Sequence, residues 1–104
     1  MKLLQATFAH FKLGEITDAV RTAGASGATV SESLDHTRHG SKEWRVPCVT
    51  LETVVHDDLV ERVVAAIVRA ARSGHPTDGH ILVTRVESVL GIRTGAIDEA
   101  AIAP

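Results

Sequence analysis

The sequence predicts an α+β domain with the element order β-α-β-β-α-β. Three observations lead there. Short runs rich in β-branched and apolar residues alternate with two segments of helical spacing. Each helical segment runs into a glycine, a common helix stop. The chain has 104 residues, 44% of them apolar but only 3% aromatic, which suits one domain with an aliphatic core.

The elements follow in order. "KLLQATFA", Lys2 to Ala9, has the length and composition of a strand. "KLGEITDAVRTAG" places Leu13, Ile16, Val20 and Ala23 on one helical face and stops at Gly24. "GATVSESL", Gly27 to Leu34, reads as a second strand with imperfect alternation. "DHTRHGSKEWR", Asp35 to Arg45, is the most polar stretch, has no apolar period and reads as a loop. "VPCVTLETVV", Val46 to Val55, is a third strand, with Pro47 limiting hydrogen bonding at its start. "HDDLVERVVAAIVRAARSG" is the clearest helix. Asp57 or Asp58 is expected to cap it, arginines sit late, and Gly74 ends it. Leu59, Val63 and Ile67, with Val60, Val64 and Val68, form its broad apolar face. "HILVTRV", His80 to Val86, is the fourth strand, and the tail "GAIDEAAIAP" is expected to be mobile unless a partner orders it.

That order is the ferredoxin-like, split βαβ arrangement: four antiparallel strands with two helices on one face. The other sheet face is left without a cover and is partly apolar, so a homo-oligomer is expected.

Composition excludes several function classes. The net charge is −2, so a nucleic-acid surface is not expected. Few aromatics argue against base stacking. Cys48 is the only cysteine, so no intrachain disulfide can form, which suits a reducing compartment; it reads as an inert, buried thiol. The opening "MKLLQATFAHF" lacks a signal-peptide apolar region, and "VVAAIV" is too short for a bilayer. A cytoplasmic protein without membrane insertion is expected.

Three stretches bear on chemistry. "T-D-G" at Thr77 to Gly79 reads either as a plain turn or as a phosphate loop. His36 with His39, and His75 with His80, raise a metal reading, but neither pair has a cysteine or carboxylate at a firm zinc spacing, so no metal is expected. Ser31, Ser33, Asp35 and His36 are close in sequence, yet nothing frames an oxyanion hole, and catalysis is not expected.

With these residues in view, the chain resembles the PII signal-transduction proteins, and more narrowly the PII-like ones. "FKLGEITDAVRTAGASGATVSE" is similar to the family's opening, where "FKL", a glycine-ended helix and "G-x-T-V-x-E" recur. "HDDLVERVVAAIVRAARSG" resembles its second helix, and "DGHILVTRV" with "IRTG" resembles its "DGKIFV" and "RIRTG" segments. The resemblance implies a homotrimer that binds adenine nucleotides between neighbouring subunits, senses rather than catalyses, and signals to a protein target. It implies a T-loop at 35–46, a B-loop at 73–80 and a C-terminal loop and tail at 91–104 of a single domain, 1–104. The implied nucleotide contacts are Gly27, Thr29, Arg38, Glu52, Val54, Thr77, Asp78, Gly79, His80 and Arg93. Without the resemblance, Glu52 is an ordinary strand residue and Arg93 a surface charge. Trp44 reads either as packing on the T-loop base or as a partner anchor.

The departures from the family pattern are informative. The T-loop is about ten residues shorter than in the nitrogen-sensing members. There is no tyrosine to uridylylate. His39 stands where those members have a glutamine that helps hold magnesium and 2-oxoglutarate, and Cys48 where they have a lysine; the usual 2-oxoglutarate response is not expected. His80 replaces the B-loop lysine, Gly91 an arginine, and Thr77 a glycine. Charge-assisted hydrogen bonds contribute about 1.5–3 kcal/mol each, so two missing cations lower triphosphate affinity roughly tenfold or more. ADP or AMP is therefore expected over ATP. A shortened T-loop without that glutamine is most similar to the carboxysome- and bicarbonate-associated group. That likeness implies bicarbonate as a second ligand, with Arg38, His39, His80 and Arg93 as candidate cations, and a carbon-metabolism or transport partner. The alternative is a trimeric ferredoxin-like metal-binding protein using His36 and His39.

Overall fold

The computed structural model describes residues 1–102, and the backbone alone at positions 35, 37, 39, 44 and 46. Four strands form one antiparallel sheet in the order β2-β3-β1-β4: β1 Lys2–Ala9, β2 Thr29–His39, β3 Lys42–Val55 and β4 His80–Arg85. Helix α1, Leu13–Thr22, joins β1 to β2, and helix α2, Val60–Ala71, joins β3 to β4. Each helix is entered through one turn of 3₁₀ helix, at His10–Lys12 and Asp57–Leu59. This is the predicted ferredoxin-like architecture.

Strand alternation sends every second side chain to the helices. Leu4, Ala6 and Phe8 of β1 and Val49, Leu51 and Val55 of β3 meet Ile16 and Val20 of α1 and Val63 and Ile67 of α2. All are buried, and Leu13, Leu59, Val60 and Val64 pack around them. The face opposite the helices is mixed. Thr7 and Thr50 share a hydrogen bond across β1 and β3, Ser33 Oγ meets Cys48 Sγ at 3.1 Å, and Leu82 is exposed. Cys48 is buried, as expected.

Two expectations need correction. Asp35–Arg45 is not an irregular loop. Its backbone continues the β2–β3 ladder from Asp35↔Val46 to His39↔Lys42, closed by a two-residue turn at Gly40–Ser41. Gly40 has φ 65, which the first position of a II′ turn requires. β1 pairs with β3 only over residues 48–55, so this ribbon projects beyond the sheet and lengthens the molecule to 49 Å.

Asp57 does not cap a helix: neither the 3₁₀ turn at Asp57–Leu59 nor α2 has a side-chain N-cap bond. Its carboxylate instead accepts from the Met1 amine at 2.9 Å and Lys2 Nζ at 2.8 Å, and those bonds lower its pKa to about 2. The tail follows β4 up to residue 102 among the described residues. Leu90 bridges Ile97, and a short helix, α3, spans Glu99–Ile102; Ala103 and Pro104 lie outside the described residues.

Candidate functional site

One cleft lies at the start of β2. It has a volume of about 330 Å³ and is lined by Leu3, Gly27, Thr29, Glu52, Val54 and, from the tail, Ala101 and Ile102, among others. Sheet register explains the grouping: Thr29 pairs with Glu52, Glu52 with Gln5, and Leu3 with Val54. Gly27 is held there from below. Thr53, on the buried face of β3 and 3% exposed, donates its hydroxyl to the Gly27 carbonyl at 2.5 Å. Four of the residues singled out in the sequence thus share one wall.

The segment 73–80 builds a second cleft. Ser73 N–H and Gly74 N–H donate to Asp78 Oδ2 at 2.7 and 2.8 Å, and the Ser73 hydroxyl donates to Oδ1. Asp78 N–H returns to the His75 carbonyl at 3.0 Å. The Ser73 hydrogen bonds, chiefly the hydroxyl's, hold the Asp78 carboxyl below its ordinary range. This side chain is committed to closing its own loop, and the N–H groups of Ser73, Gly74 and Asp78 are engaged within the loop with it.

Gly79 follows with φ 101, and a Cβ there would stand 1.8 Å from the Thr7 carbonyl oxygen. Only glycine lets the loop run this close to β1. His75 Nδ1 lies 2.7 Å from Thr77 Oγ1 and 3.2 Å from Thr77 N, which holds the ring against the loop. Lys12 reaches the same region. It lines a cleft of about 220 Å³ with Phe11, Ser73, His75, Thr77 and Asp78, and donates to the Ala70 carbonyl at 3.4 Å.

The two clefts are separate within one subunit. Strand spacing and register put His80 about 12 Å from Glu52 and about 16 Å from Thr29. Arg93 is exposed on the turn after Leu90, where Gly91 N–H donates to the Ala96 carbonyl at 2.7 Å and Gly95 N–H to the Gly91 carbonyl at 2.9 Å. Arg38 lies nine residues along β2 from Thr29, about 30 Å of strand, with Nη2 4.0 Å from Glu43. The structure does not bring Arg38 to the Thr29 cleft within the subunit. The side chains of His39 and Trp44 lie outside what is described.

The metal reading rests on His36 with His39, and the His39 side chain is not among the described ones. His36 pairs with Glu43 at 3.7 Å, and among the described residues no three His, Cys, Asp or Glu side chains gather as a metal site would require. Ser31 and Ser33 face away from the helices while His36 faces the other way, so they cannot converge. No helix among the described residues is long and apolar enough to cross a membrane.

Sequence reasoning missed Lys12, Leu3, Thr53, Ala101 and Ile102. Only Thr53 left a signal: it is the one polar residue in the inward-facing series Val49, Leu51, Thr53, Val55.

Fold and clefts together define a ferredoxin-like α+β protein with a projecting ribbon and a glycine-closed loop. The family model for nitrogen regulatory protein P-II matches residues 1–96. The chain is 39% identical to nitrogen regulatory protein P-II of Bradyrhizobium diazoefficiens and 41% identical to that of Azospirillum brasilense, in each case over 91% of this chain and 94% of the relative. It is 38% identical to nitrogen regulatory protein P-II 1 of Escherichia coli over 98% of this chain and the whole relative. The last alignment runs over 112 positions against a chain of 104 residues, so the relative has a longer chain. The chain belongs to the PII family of non-enzymatic signal-transduction regulators.

Proposed function

We propose that this protein is a homotrimeric adenylate sensor that binds ADP or AMP in preference to ATP and signals through the β2–β3 ribbon to a protein target. The observation that carries the reading is the shared cleft of Gly27, Thr29, Glu52 and Val54. It offers apolar surface from Val54 and Leu3 for a base and polar groups from Thr29 and Glu52 to orient it. The 73–80 loop, with Lys12 beside it, is the proposed phosphate side. Because the two clefts are about 12 Å or more apart in one subunit, a neighbouring subunit completes each site.

The phosphate preference follows from charge. His80 stands at the mouth of β4 where a lysine would reach phosphate, and Gly91 carries no side chain. Arg93 remains as an exposed cation, with Lys12 beside the loop. Fewer fixed positive charges disfavour the third phosphate most. Bicarbonate is the proposed second ligand, held by His80 and Arg93 with Arg38 and His39 of the ribbon, and a carbon-metabolism or transport protein is the proposed target. Calorimetric titration with AMP, ADP and ATP, with and without bicarbonate, tests this. Binding of ADP or AMP at least as tight as ATP is expected; a strong ATP preference overturns the charge argument. Zinc binding without adenylate binding would favour the metal alternative.

A further inference from the structure

The core holds a polar side chain that packing does not explain. Thr53 is 3% exposed, and among the described residues no other polar or charged side chain is buried. It stands in the inward series Val49, Leu51, Thr53, Val55 and pairs with Leu4 of β1. In an aliphatic core a valine has nearly the same shape and no polar atom to satisfy, so the hydroxyl must answer to something else. It donates to the Gly27 carbonyl at 2.5 Å. Register explains how it reaches. The β2–β3 ladder stops at Thr29↔Glu52 while β3 runs on to Val55, so Thr53 stands just past the last pair, where the connector from α1 arrives.

That connector has little else to hold it. Residues 25–28 have no regular structure, and Ser26, Gly27 and Ala28 are exposed. Ala25 N–H donates to the Val20 carbonyl at 3.2 Å; beyond it, the Thr53 hydroxyl is the one side chain among the described residues that hydrogen-bonds to the connector. A Cβ built at Gly27 meets nothing within 4 Å, so that side of the chain is open. Yet Ser26, Gly27, Ala28 and Thr29 in succession line the cleft of about 330 Å³.

From these contacts we infer that Thr53 is a positioning residue for the cleft: its hydroxyl, acting through the Gly27 carbonyl from inside the core, fixes residues 26–29 before a ligand arrives. The inference rests on the adenylate reading of that cleft. A segment that is already fixed need not be ordered on binding, so its ordering does not subtract from affinity. The hydroxyl carries this effect and the methyl does not, which separates positioning from packing. The 73–80 loop leads into β4, and β1 lies between β4 and β3, so the number of phosphates on the ligand does not enter.

The test compares Thr53→Val, Thr53→Ser and Ile67→Val with the parent chain. Calorimetry reads affinity for AMP and ADP, and urea unfolding reads stability. Thr53→Val is expected to weaken both nucleotides by the same factor, about three- to tenfold. Thr53→Ser keeps the hydroxyl and loses a buried methyl, so the urea midpoint falls while affinity stays within about twofold of the parent. Ile67 belongs to the core and does not line this cleft, so Ile67→Val lowers the midpoint and leaves affinity unchanged. NMR relaxation of the ligand-free protein is the independent arm. The Ala28 amide shares a peptide unit with the Gly27 carbonyl, and its fast motion is expected to increase in Thr53→Val but not in Thr53→Ser. Parent-like affinity in Thr53→Val overturns the inference, and so does an Ala28 amide as rigid there as in the parent. Equal weakening by Thr53→Ser or Ile67→Val overturns it too, as does a loss that grows with phosphate number. If the parent binds neither nucleotide, the adenylate reading falls and takes this inference with it. If the parent binds both and Thr53→Val binds them equally well, only this inference falls.

Discussion

Gly79 is the position where the smallest change should have the largest effect. A Cβ built there lies 1.8 Å from the Thr7 carbonyl oxygen and 2.8 Å from the Thr7 carbonyl carbon, both backbone atoms. Relief requires the loop to move away from β1 by roughly 1.5 Å. Thr7 pairs with His80, so that retreat opens the β1–β4 ladder at its first rung. The φ of 101 adds a conformational cost for any L side chain. Together these predict that Gly79→Ala destabilises the protein by about 3–5 kcal/mol. Gly74 provides the control. It sits in the same loop with φ 85, but a Cβ there meets nothing within 4 Å. Gly74→Ala should therefore cost only the conformational part, about 1–2 kcal/mol. Urea unfolding at one fixed protein concentration, followed by circular dichroism, reads the difference directly. Equal losses in the two variants, or a Gly79→Ala protein as stable as the parent, would refute the steric argument.

Other expectations are smaller or conditional. Thr53→Val keeps the shape of a buried residue and removes its hydrogen bond to Gly27; a stability loss of about 1 kcal/mol is expected by denaturant titration, with weaker ADP binding because the cleft wall loosens. Ile67→Ala empties a fully packed core position and should lower stability by about 2–5 kcal/mol in the same titration. Asp57 has a folded pKa of about 2 against an ordinary 3.8, so its contribution is present above pH 4 and lost as pH falls from 4 toward 2. Asp57→Asn should then flatten the fall of the urea midpoint over that range, and an unchanged slope would exclude the ion pair as a source of acid sensitivity. His80→Lys restores a fixed cation and should raise affinity for ATP more than for AMP, read by calorimetry.

Much of the architecture is legible from local pattern. Lys2–Ala9 reads as a strand end to end, and the faces of Ile16 with Val20 and of Val63 with Ile67 are set by 3.6-residue spacing. These elements each bury one face against the core, so burial writes its period into the sequence. The β2–β3 ribbon does not. Its exposed residues His36, Arg38, Glu43 and Arg45 face water and carry no apolar period, and the ladder is held by cross-strand backbone bonding with His36 and Arg38 beside Glu43. The one available sign was Gly40–Ser41, a two-residue turn of the hairpin type. The Asp57 cap failed for a related reason: the acids stand where a helix begins, but the nearest donors in space come from Met1 and Lys2, fifty-odd residues away in sequence.

The sequence by itself determined the element order, the aliphatic core, the family pattern and the list of groups that could meet an anion. Tertiary structure decided which of them share a space. Sheet register placed Gly27, Thr29, Glu52 and Val54 on one cleft and left His80 about 12 Å from Glu52. It also turned the Asp78 carboxylate inward to close its own loop and carried Ala101 and Ile102 back to the start of β2. The physical reason is range. Periodicity and turn chemistry act over a few residues and are visible locally, whereas a cleft is made by strands and a tail that meet only after the chain has folded.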